Sequence, residues 1–331
     1  MECRMQALYA LYTAVLGLSL AWPSGEVEAI ELRLPIDCEI GVTCEVQNYV
    51  DLDPSLQARD YQCGSRTYNG HKGVDFRLPS LRAQRAGVNV LAAAPGRVLR
   101  VRDGVPDMSV RERGTGAVDH RECGNGIVVD HGDGWSTQYC HLAQGSLLVK
   151  PGDKVDASRP LGRVGLSGMT EYPHLHFSVT FQGKIVEPFA FEAAEGSCGG
   201  GRSLWATSLQ LTLAYKPRAV LNTGFTNEEL NMQTIETGDL PAPGLEAPLV
   251  AYVRAIGMKA GDIQKLQILM PDGRILVESS ATPLDRDKAQ VMMFVGKKPP
   301  TGGWPRGVYR ATYTINHSDI VVLDRSFRTE L

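Results

Sequence analysis

Two histidines, His174 and His176, lie one residue apart in the segment EYPHLHFSV, residues 171–179, of a chain that has seven histidines. In a β-strand successive side chains point to opposite faces, so both imidazoles would share one face and Leu175 and Phe177 the other. One face then offers groups for metal binding or proton transfer, and the other offers side chains for a core. An isolated pair of this kind more often marks an exposed edge strand with two solvated histidines. Other segments of the chain are therefore needed to distinguish that interpretation from a functional pair.

The segment NGHKGVDFRLP places His71 four residues before Asp75. A helix would put the two side chains on one face, but the preceding Asn-Gly, Gly73 and Pro79 favour a turn that leads into a strand. A histidine and an aspartate at such a position are either a surface hydrogen-bonded pair or two metal ligands. Taken alone, the pattern favours the surface pair.

A third segment, STQYCHL, contains His141 two residues after Tyr139, and strand alternation predicts that these two share a face while Cys140 points the other way. His131, in VVDHGDG, lies at the start of a predicted hairpin turn, across from that strand. Five of the seven histidines thus fall in three β-type segments, a concentration that scattered surface histidines would not produce.

A catalytic zinc site takes three protein ligands from histidine and carboxylate side chains and leaves a fourth position to water. His71, Asp75 and one histidine of HLH would supply that set, and the other histidine would act on the water. The chain contains no HExxH sequence, so the base would have to be a histidine. A closed structural zinc site is disfavoured because it needs a fourth protein ligand and the cysteines are better explained as disulfides.

The segments GHKGVDF, VVDHGDGWSTQYCHL, GLSG and PHLHF together resemble the motifs of the lysostaphin-type (LytM-type) zinc metallopeptidases, which cleave peptide cross-links in bacterial peptidoglycan. The resemblance covers roughly residues 60–191. It implies one Zn²⁺ per chain, held by His71, Asp75 and His176. It also implies that His141 and His174 are catalytic and that His131 is a supporting residue near the groove.

The resemblance predicts a zinc-dependent endopeptidase that hydrolyses peptidoglycan cross-links by histidine-assisted attack of water. Spacing does not tell which of His141 and His174 takes the proton of water and which stabilises the oxyanion or protonates the leaving amine. The alternative is a non-catalytic wall-binding scaffold that activates another cell-wall hydrolase. Such relatives have lost ligands, whereas all five positions are present here.

Two features depart from the family pattern. The residue after HLHF, commonly acidic in relatives, is Ser178, which could alter the support of the ligands. Residues 102–126 are long for a hairpin connection and could wall the substrate groove.

At 331 residues the chain suits two domains, and its patterns predict an all-β protein. After an N-terminal segment, residues 30–60, short β-branched runs over residues 61–195 predict a mostly antiparallel catalytic sheet of the lysostaphin/LytM type. The Gly- and Ser-rich residues 196–204 predict a flexible link. About seven short runs over residues 205–331, from LQLTLAY to IVVLDRSF, predict a β-sandwich that is immunoglobulin-like.

Residues 1–29 have Arg4 ahead of an apolar run from Ala7 to Trp22, which is shorter than the roughly 20 residues of a membrane span. This order predicts a signal peptide cleaved near Ala29, and a periplasmic or extracellular protein without a stable span. An uncleaved anchor is the competing interpretation. A net charge of -3 gives no electrostatic case for nucleic acid.

Six cysteines remain after the leader, all before residue 200, and an even count in an exported chain favours disulfides. Fifteen pairings are possible for six cysteines. The sequence favours Cys38 with Cys44 as a local pair, and Cys123 with Cys140 as a link between neighbouring strands.

Overall fold

The computed structural model describes residues 28–118 and 120–331, so the predicted signal peptide lies almost entirely outside the described residues. The described chain is mostly β-structure, as the sequence predicts. In chain order the strands are β1 (Glu45–Asn48), β2 (Val74–Arg77), β3 (Asn89–Leu91), β4 (Gly96–Arg102), β5 (Asn125–Gly132), β6 (Trp135–Leu142), β7 (Lys154–Val155), β8 (Pro160–Arg163), β9 (His174–Phe181), β10 (Lys184–Val186), β11 (Ala219–Thr226), β12 (Leu249–Met258), β13 (Ile263–Leu269), β14 (Ile275–Ser280), β15 (Lys288–Lys297), β16 (Val308–His317) and β17 (Ile320–Glu330). The short α-helices are α1 (Leu81–Ala86), α2 (Val110–Arg113) and α3 (Met232–Thr237).

An antiparallel sheet of eight strands carries all the histidine segments. Its order is β1-β2-β9-β6-β5-β4-β7, with β10 added to β9. Strands β5 and β6 form the predicted hairpin, which turns at residues 132–135. The strands β3 and β8 pair separately as a two-stranded sheet.

One face of the large sheet packs on the first hydrophobic core, and the opposite face carries the polar groups. On β2, Val74 and Phe76 are fully buried in this core, and on β9, Leu175 and Phe177 join them. Alternation sends Asp75 and His176 to the opposite face of the sheet, and the register of β2 with β9 makes them direct cross-strand neighbours. The prediction that the two histidines of HLH share a face, opposite Leu175 and Phe177, is confirmed.

The C-terminal part contains two antiparallel sheets, β11-β12-β15 and β14-β13-β16-β17. A second core draws on both sheets, with Val253 from one and Leu266, Tyr309 and Tyr313 from the other. We call residues 219–331 the sandwich. It has seven strands, but LQLTLAY is not one of them, because residues 207–213 form a 3₁₀ turn and further turns. The missed strand is β11, AVLNTGFT, whose Asn-Thr-Gly resembles a turn.

The Gly- and Ser-rich segment expected to be a flexible link is fixed to the first part of the molecule. Cys198 within it forms a disulfide with Cys63. Leu204, its last residue, and Trp205 and Leu213 just beyond it belong to the first core. The sandwich strands therefore begin only at Ala219.

Both cysteine pairs favoured by the sequence are present, Cys38–Cys44 and Cys123–Cys140, and the third joins Cys63 to Cys198. The disulfide Cys123–Cys140 does not join two strands directly, because Cys123 lies two residues before β5. Within the described residues, no helix has the length and apolarity needed to cross a bilayer.

Candidate metal centre and catalytic histidines

Three side chains converge on the polar face of the large sheet. The Nε2 atom of His71 lies 3.1 Å from Oδ1 of Asp75 and 3.1 Å from Nδ1 of His176. Nδ1 of His176 lies 2.9 Å from the same Oδ1 atom. All three residues are buried or half-buried, and together they form a group able to hold a metal ion. His71 lies in the turn before β2, as the sequence predicts, while Asp75 and His176 are cross-strand neighbours.

Oxygen atoms outside this group fix which nitrogen of His71 and of His176 carries hydrogen. Nδ1 of His71 lies 2.7 Å from the carbonyl oxygen of Tyr49, which can only accept, so Nε2 keeps its lone pair. The hydroxyl of Ser178 donates to the carbonyl of Lys72 and therefore accepts from Nε2 of His176, at 3.1 Å. The lone pair of His176 is then on Nδ1. Two imidazole lone pairs and a carboxylate oxygen thus face one another.

Three acceptor atoms at this separation repel one another unless positive charge lies between them. The pKa shifts of His71 and Asp75 likewise show that positive charge is favoured here. Burial alone would lower the pKa of His71, but the Asp75 carboxylate holds it above its usual value. Burial would raise the pKa of Asp75, yet His71 and His174 hold it well below its usual range. Two donors each about 2.05 Å from a tetrahedral zinc ion lie about 3.3 Å apart, so the observed atoms fit with shifts of a few tenths of an ångström.

Two further imidazoles lie beside the cluster. The rings of His141 and His174 have centroids 4.6 Å apart, and that of His141 is 6.0 Å from the ring of His176. Nε2 of His174 lies 3.5 Å from Oδ1 of Asp75. In both rings Nδ1 faces a backbone carbonyl, that of Ser167 for His141 at 2.7 Å and that of Tyr172 for His174 at 3.0 Å. Both Nε2 atoms therefore keep a lone pair.

Burial sets the protonation of these two rings. It lowers the pKa of His141 well below its usual value, and the neighbouring rings of His174 and His176 act in the same direction. It also lowers the pKa of His174, against the opposing charge of Asp75. Both rings are consequently neutral at neutral pH and able to accept a proton.

The expectation that His141 shares a face with Tyr139 is wrong. Tyr139 is fully buried in the first core beside Phe177, with ring centroids 5.4 Å apart, and its hydroxyl accepts from the backbone N–H of Ala93. His141 instead faces His174. The cause is a φ of +64° at His141, which interrupts the alternation of β6 at its end. Nothing in the residue pattern signals this angle.

His131 lies at the hairpin end of the sheet instead of beside the cluster. Its Nδ1 atom is 2.7 Å from the carbonyl of Pro95, and its Nε2 atom is 2.8 Å from the hydroxyl of Thr137. The Thr137 hydroxyl donates in turn to that of Tyr139. His131 thus supports the packing of β5 and β6 at the turn, away from the four histidines.

Sequence reasoning missed three residues around the cluster. The side-chain amide of Asn48, on β1, donates to Oδ2 of Asp75 at 3.0 Å. Arg77 lies two residues after Asp75 on the same face of β2, directly across from His174. A Cβ atom at Gly73 would lie 2.7 Å from Nε2 of His176, so a side chain there would displace the ligand. Strand alternation from Asp75 predicts that Arg77 lies on the same face, but no sequence pattern indicates that Asn48 lies near the cluster.

Residues 109–111 of the long connection contact the loop that precedes β9. Ser109 donates through its hydroxyl to the carbonyl of Glu171, and the backbone N–H of Val110 donates to that of Thr170. These contacts place α2 against the loop that leads into β9 and His174. Arg111 pairs with Glu171 at 2.6 Å.

The segment that carries these residues is similar in sequence to known proteins. Residues 69–188 match the model of peptidase family M23, so the chain contains an M23 peptidase domain. It is 30% identical over 116 residues to the peptidoglycan DD-endopeptidase ShyA of Vibrio cholerae, covering 35% of this chain and 21% of that protein. It is 31% identical over 109 residues to the cell division protein DipM of Caulobacter vibrioides, covering 33% and 14%. The chain thus spans about a fifth of the length of ShyA and less of DipM. The catalytic domain of lysostaphin from Staphylococcus simulans is 22% identical, with 43% of this chain and 86% of that chain covered and a TM-score of 0.28.

Proposed function

We propose that this protein is an exported zinc-dependent endopeptidase that hydrolyses peptide cross-links of bacterial peptidoglycan. The observation that carries the proposal is the convergence of two imidazoles and a carboxylate on one point, with two further imidazoles beside it. The match to peptidase family M23 and the name of the similar Vibrio enzyme support the choice of peptidoglycan as substrate.

His71, Asp75 and His176 would hold one zinc ion. When bound, zinc supplies Lewis-acid activation of water and of a carbonyl group. His141 and His174 act on the proton: either Nε2 atom accepts it from the attacking water, and the ring that has accepted it donates it to the leaving amine. The carbonyls of Ser167 and Tyr172 hold the two rings in the tautomer that this step requires.

Export of the chain is part of the proposal. All six cysteines in the described part of the chain are paired, and such disulfides persist in oxidising compartments. Fractionation of producing cells should find the protein outside the cytoplasm, with an N-terminus near Ile30.

The test is digestion of purified peptidoglycan of known cross-bridge chemistry, with and without a chelator, and identification of the new termini by mass spectrometry. New amine and carboxyl termini should appear at one cross-link and disappear with the chelator. The variants His71→Ala and Asp75→Ala should lose most of the one zinc per chain that the wild-type protein holds. Zinc retained in both variants would contradict the ligand set. Absence of cleavage by a zinc-loaded protein would favour the non-catalytic scaffold.

A further inference from the structure

A cavity of about 320 Å³ lies between the large sheet and the sandwich. We call it the arginine cavity, since Arg66, Arg77 and Arg111 line it. Its opposite wall comes from the sandwich, through Gly257 on β12 and Gln290 on β15.

The arginine cavity adjoins the metal cluster directly. Three of its lining residues touch the cluster or the histidine beside it. Asn48 donates to Asp75, the ring of Tyr68 lies 4.4 Å from that of His71, and the ring of Tyr172 lies 5.2 Å from that of His174. A group bound in the cavity would therefore belong to the part of a peptide close to the scissile bond.

The positive charge of the cavity exceeds its negative charge. Arg111 forms an exposed ion pair with Glu171, the only acidic residue among the described lining residues, and such a pair is weak enough to exchange partners. Arg77 bonds to Glu236, but Arg254 shares the same carboxylate oxygen, so one carboxylate serves two buried guanidinium groups. Buried charge without a partner is costly, and an anion would relieve that cost.

Arg66 adds to the excess. Among the described residues, its guanidinium donates only to the backbone carbonyls of Val46, Gln47 and Lys216. The Asp60 carboxylate accepts from the backbone N–H of Arg66 and not from its side chain. No described carboxylate forms an ion pair with Arg66.

Two residues that line the cavity also carry a buried donor without an acceptor. Arg66 is 2% exposed and Arg77 is 1% exposed, and the Nε atom of each has no hydrogen-bond partner among the described residues. The guanidinium of Arg77 lies 3.8 Å from the ring centroid of Tyr172. Tyr172 is half-buried and belongs to the loop before β9, so its ring covers Arg77. Guanidinium groups match carboxylates in charge and in geometry.

We propose that the arginine cavity is a subsite for a carboxylate of the peptide substrate, with Arg111 as the recognising group and Arg77 as a buried positive charge behind Tyr172. This inference rests on the proposed function for its choice of a peptide. It gives the sandwich a part in substrate recognition, because Gln290 bonds to Arg77 at 3.2 Å and closes the cavity. The ligand class is a peptide that carries a free carboxylate within a residue or two of the cleaved bond.

The test uses the full-length mature protein and peptide dimers released from peptidoglycan, N-acetylated and then either left with free carboxylates or amidated. Binding is measured by titration calorimetry in the presence of a chelator, where no cleavage interferes. The free-carboxylate form should bind about tenfold more tightly than the amidated form. Arg111→Gln should remove most of this difference, and Glu171→Gln should preserve or increase it.

The matched control is Arg202→Gln. Arg202 forms an exposed ion pair with Glu192, comparable in exposure to Arg111 with Glu171, but it does not line the arginine cavity. This variant should retain the wild-type preference. Equal binding of the two peptide forms, or an unchanged preference in Arg111→Gln, would overturn the subsite. Failure of the zinc-loaded wild type to cleave either form would overturn only the proposed function, because binding is scored separately.

Discussion

Hydrogen bonds from outside the cluster determine which nitrogen of each imidazole keeps its lone pair. Each of the four imidazoles gives one nitrogen to an oxygen outside the cluster, and its other nitrogen faces inward. Partners of this kind fix the tautomer and orientation of metal-binding histidines. Distance distinguishes the proposed ligands from His174: a nitrogen of His71 lies 3.1 Å and one of His176 lies 2.9 Å from Oδ1 of Asp75, whereas Nε2 of His174 lies 3.5 Å away.

This difference predicts opposite outcomes for the two histidines of HLH. His176→Ala should lower the zinc content, since it removes one of three protein ligands. His174→Ala should leave zinc bound and abolish cleavage, because its Nε2 atom lies 3.5 Å from Asp75 and is proposed to transfer the proton. The measurement is metal analysis and peptidoglycan cleavage on both variants in parallel. Zinc loss in His174→Ala with retention in His176→Ala would reverse the roles, and loss in both would make each a ligand.

Ser178 lies at a position that is commonly acidic in the family that the sequence resembles, and its hydroxyl bonds to His176, a proposed ligand. Ser178→Ala should weaken zinc binding about tenfold or more, because Nε2 of His176 loses its acceptor. Zinc affinity is measured by competition with a coloured chelator. The control is Thr180→Ala on the same strand, whose hydroxyl bonds to Ser136 away from the cluster. Equal affinity in the two variants would exclude the role of Ser178.

At the level of elements, the sequence predicted the positions of those side chains whose face is set by strand alternation. His174, His176 and Asp75 reached one face because hydrophobic residues at alternate positions anchor β2 and β9 to the core. His141 could not be placed by the same rule, since its backbone turns at a positive φ angle. Asn48 comes from β1, far away in sequence, and only the pairing of β1 with β2 brings it to Asp75. Long-range pairing of this kind leaves no local pattern.

One buried carboxylate ties three elements of the sandwich together. Asp262, just before β13, accepts two hydrogen bonds of 2.7 Å from Arg218, which precedes β11, and one of 2.9 Å from His317 on β16. Burial would raise its pKa, but the hydrogen bonds from Arg218 hold the pKa below its usual value. The ionised form is therefore stabilised by folding.

Asp262→Asn should lower the free energy of unfolding of the sandwich by about 3 kcal/mol at pH 7. Because the folded pKa is lowered, the stabilisation is present above the unfolded value of 3.8 and is lost as the pH falls through the folded pKa. The difference between variant and wild type should thus shrink below about pH 4. Urea unfolding followed by amide exchange in β13 and β16 measures it. Asp272→Asn, which removes an exposed pair with Arg274, should cost under about 1 kcal/mol.

For the whole molecule, the important feature is how the sandwich joins the sheet that carries the histidines. Arg77 on β2 bonds to Glu236 on α3 and to Gln290 on β15, while Arg254 on β12 donates to the carbonyl of Pro79. The joint thus lies next to His174, which pairs with Arg77 across the strands. A Gly-rich segment between two parts suggested independent domains, yet buried ion pairs join them.

Glu236→Gln tests this joint. Removing the carboxylate leaves Arg77 and Arg254 buried without a counter-charge, so the free energy of unfolding should fall by about 3 to 5 kcal/mol. Asp239→Asn is the matched control, because Asp239 follows α3 and pairs with Arg85 on α1 across the same boundary, with both side chains exposed. It should cost no more than about 1 kcal/mol. Zinc content should stay at the wild-type level in both variants, since neither residue reaches the cluster.

Denaturant unfolding and metal analysis of the two variants provide the measurement. Equal stabilities would mean that the buried joint contributes no more than an exposed ion pair. Zinc loss in Glu236→Gln alone would mean that the sandwich also holds the proposed ligands in place.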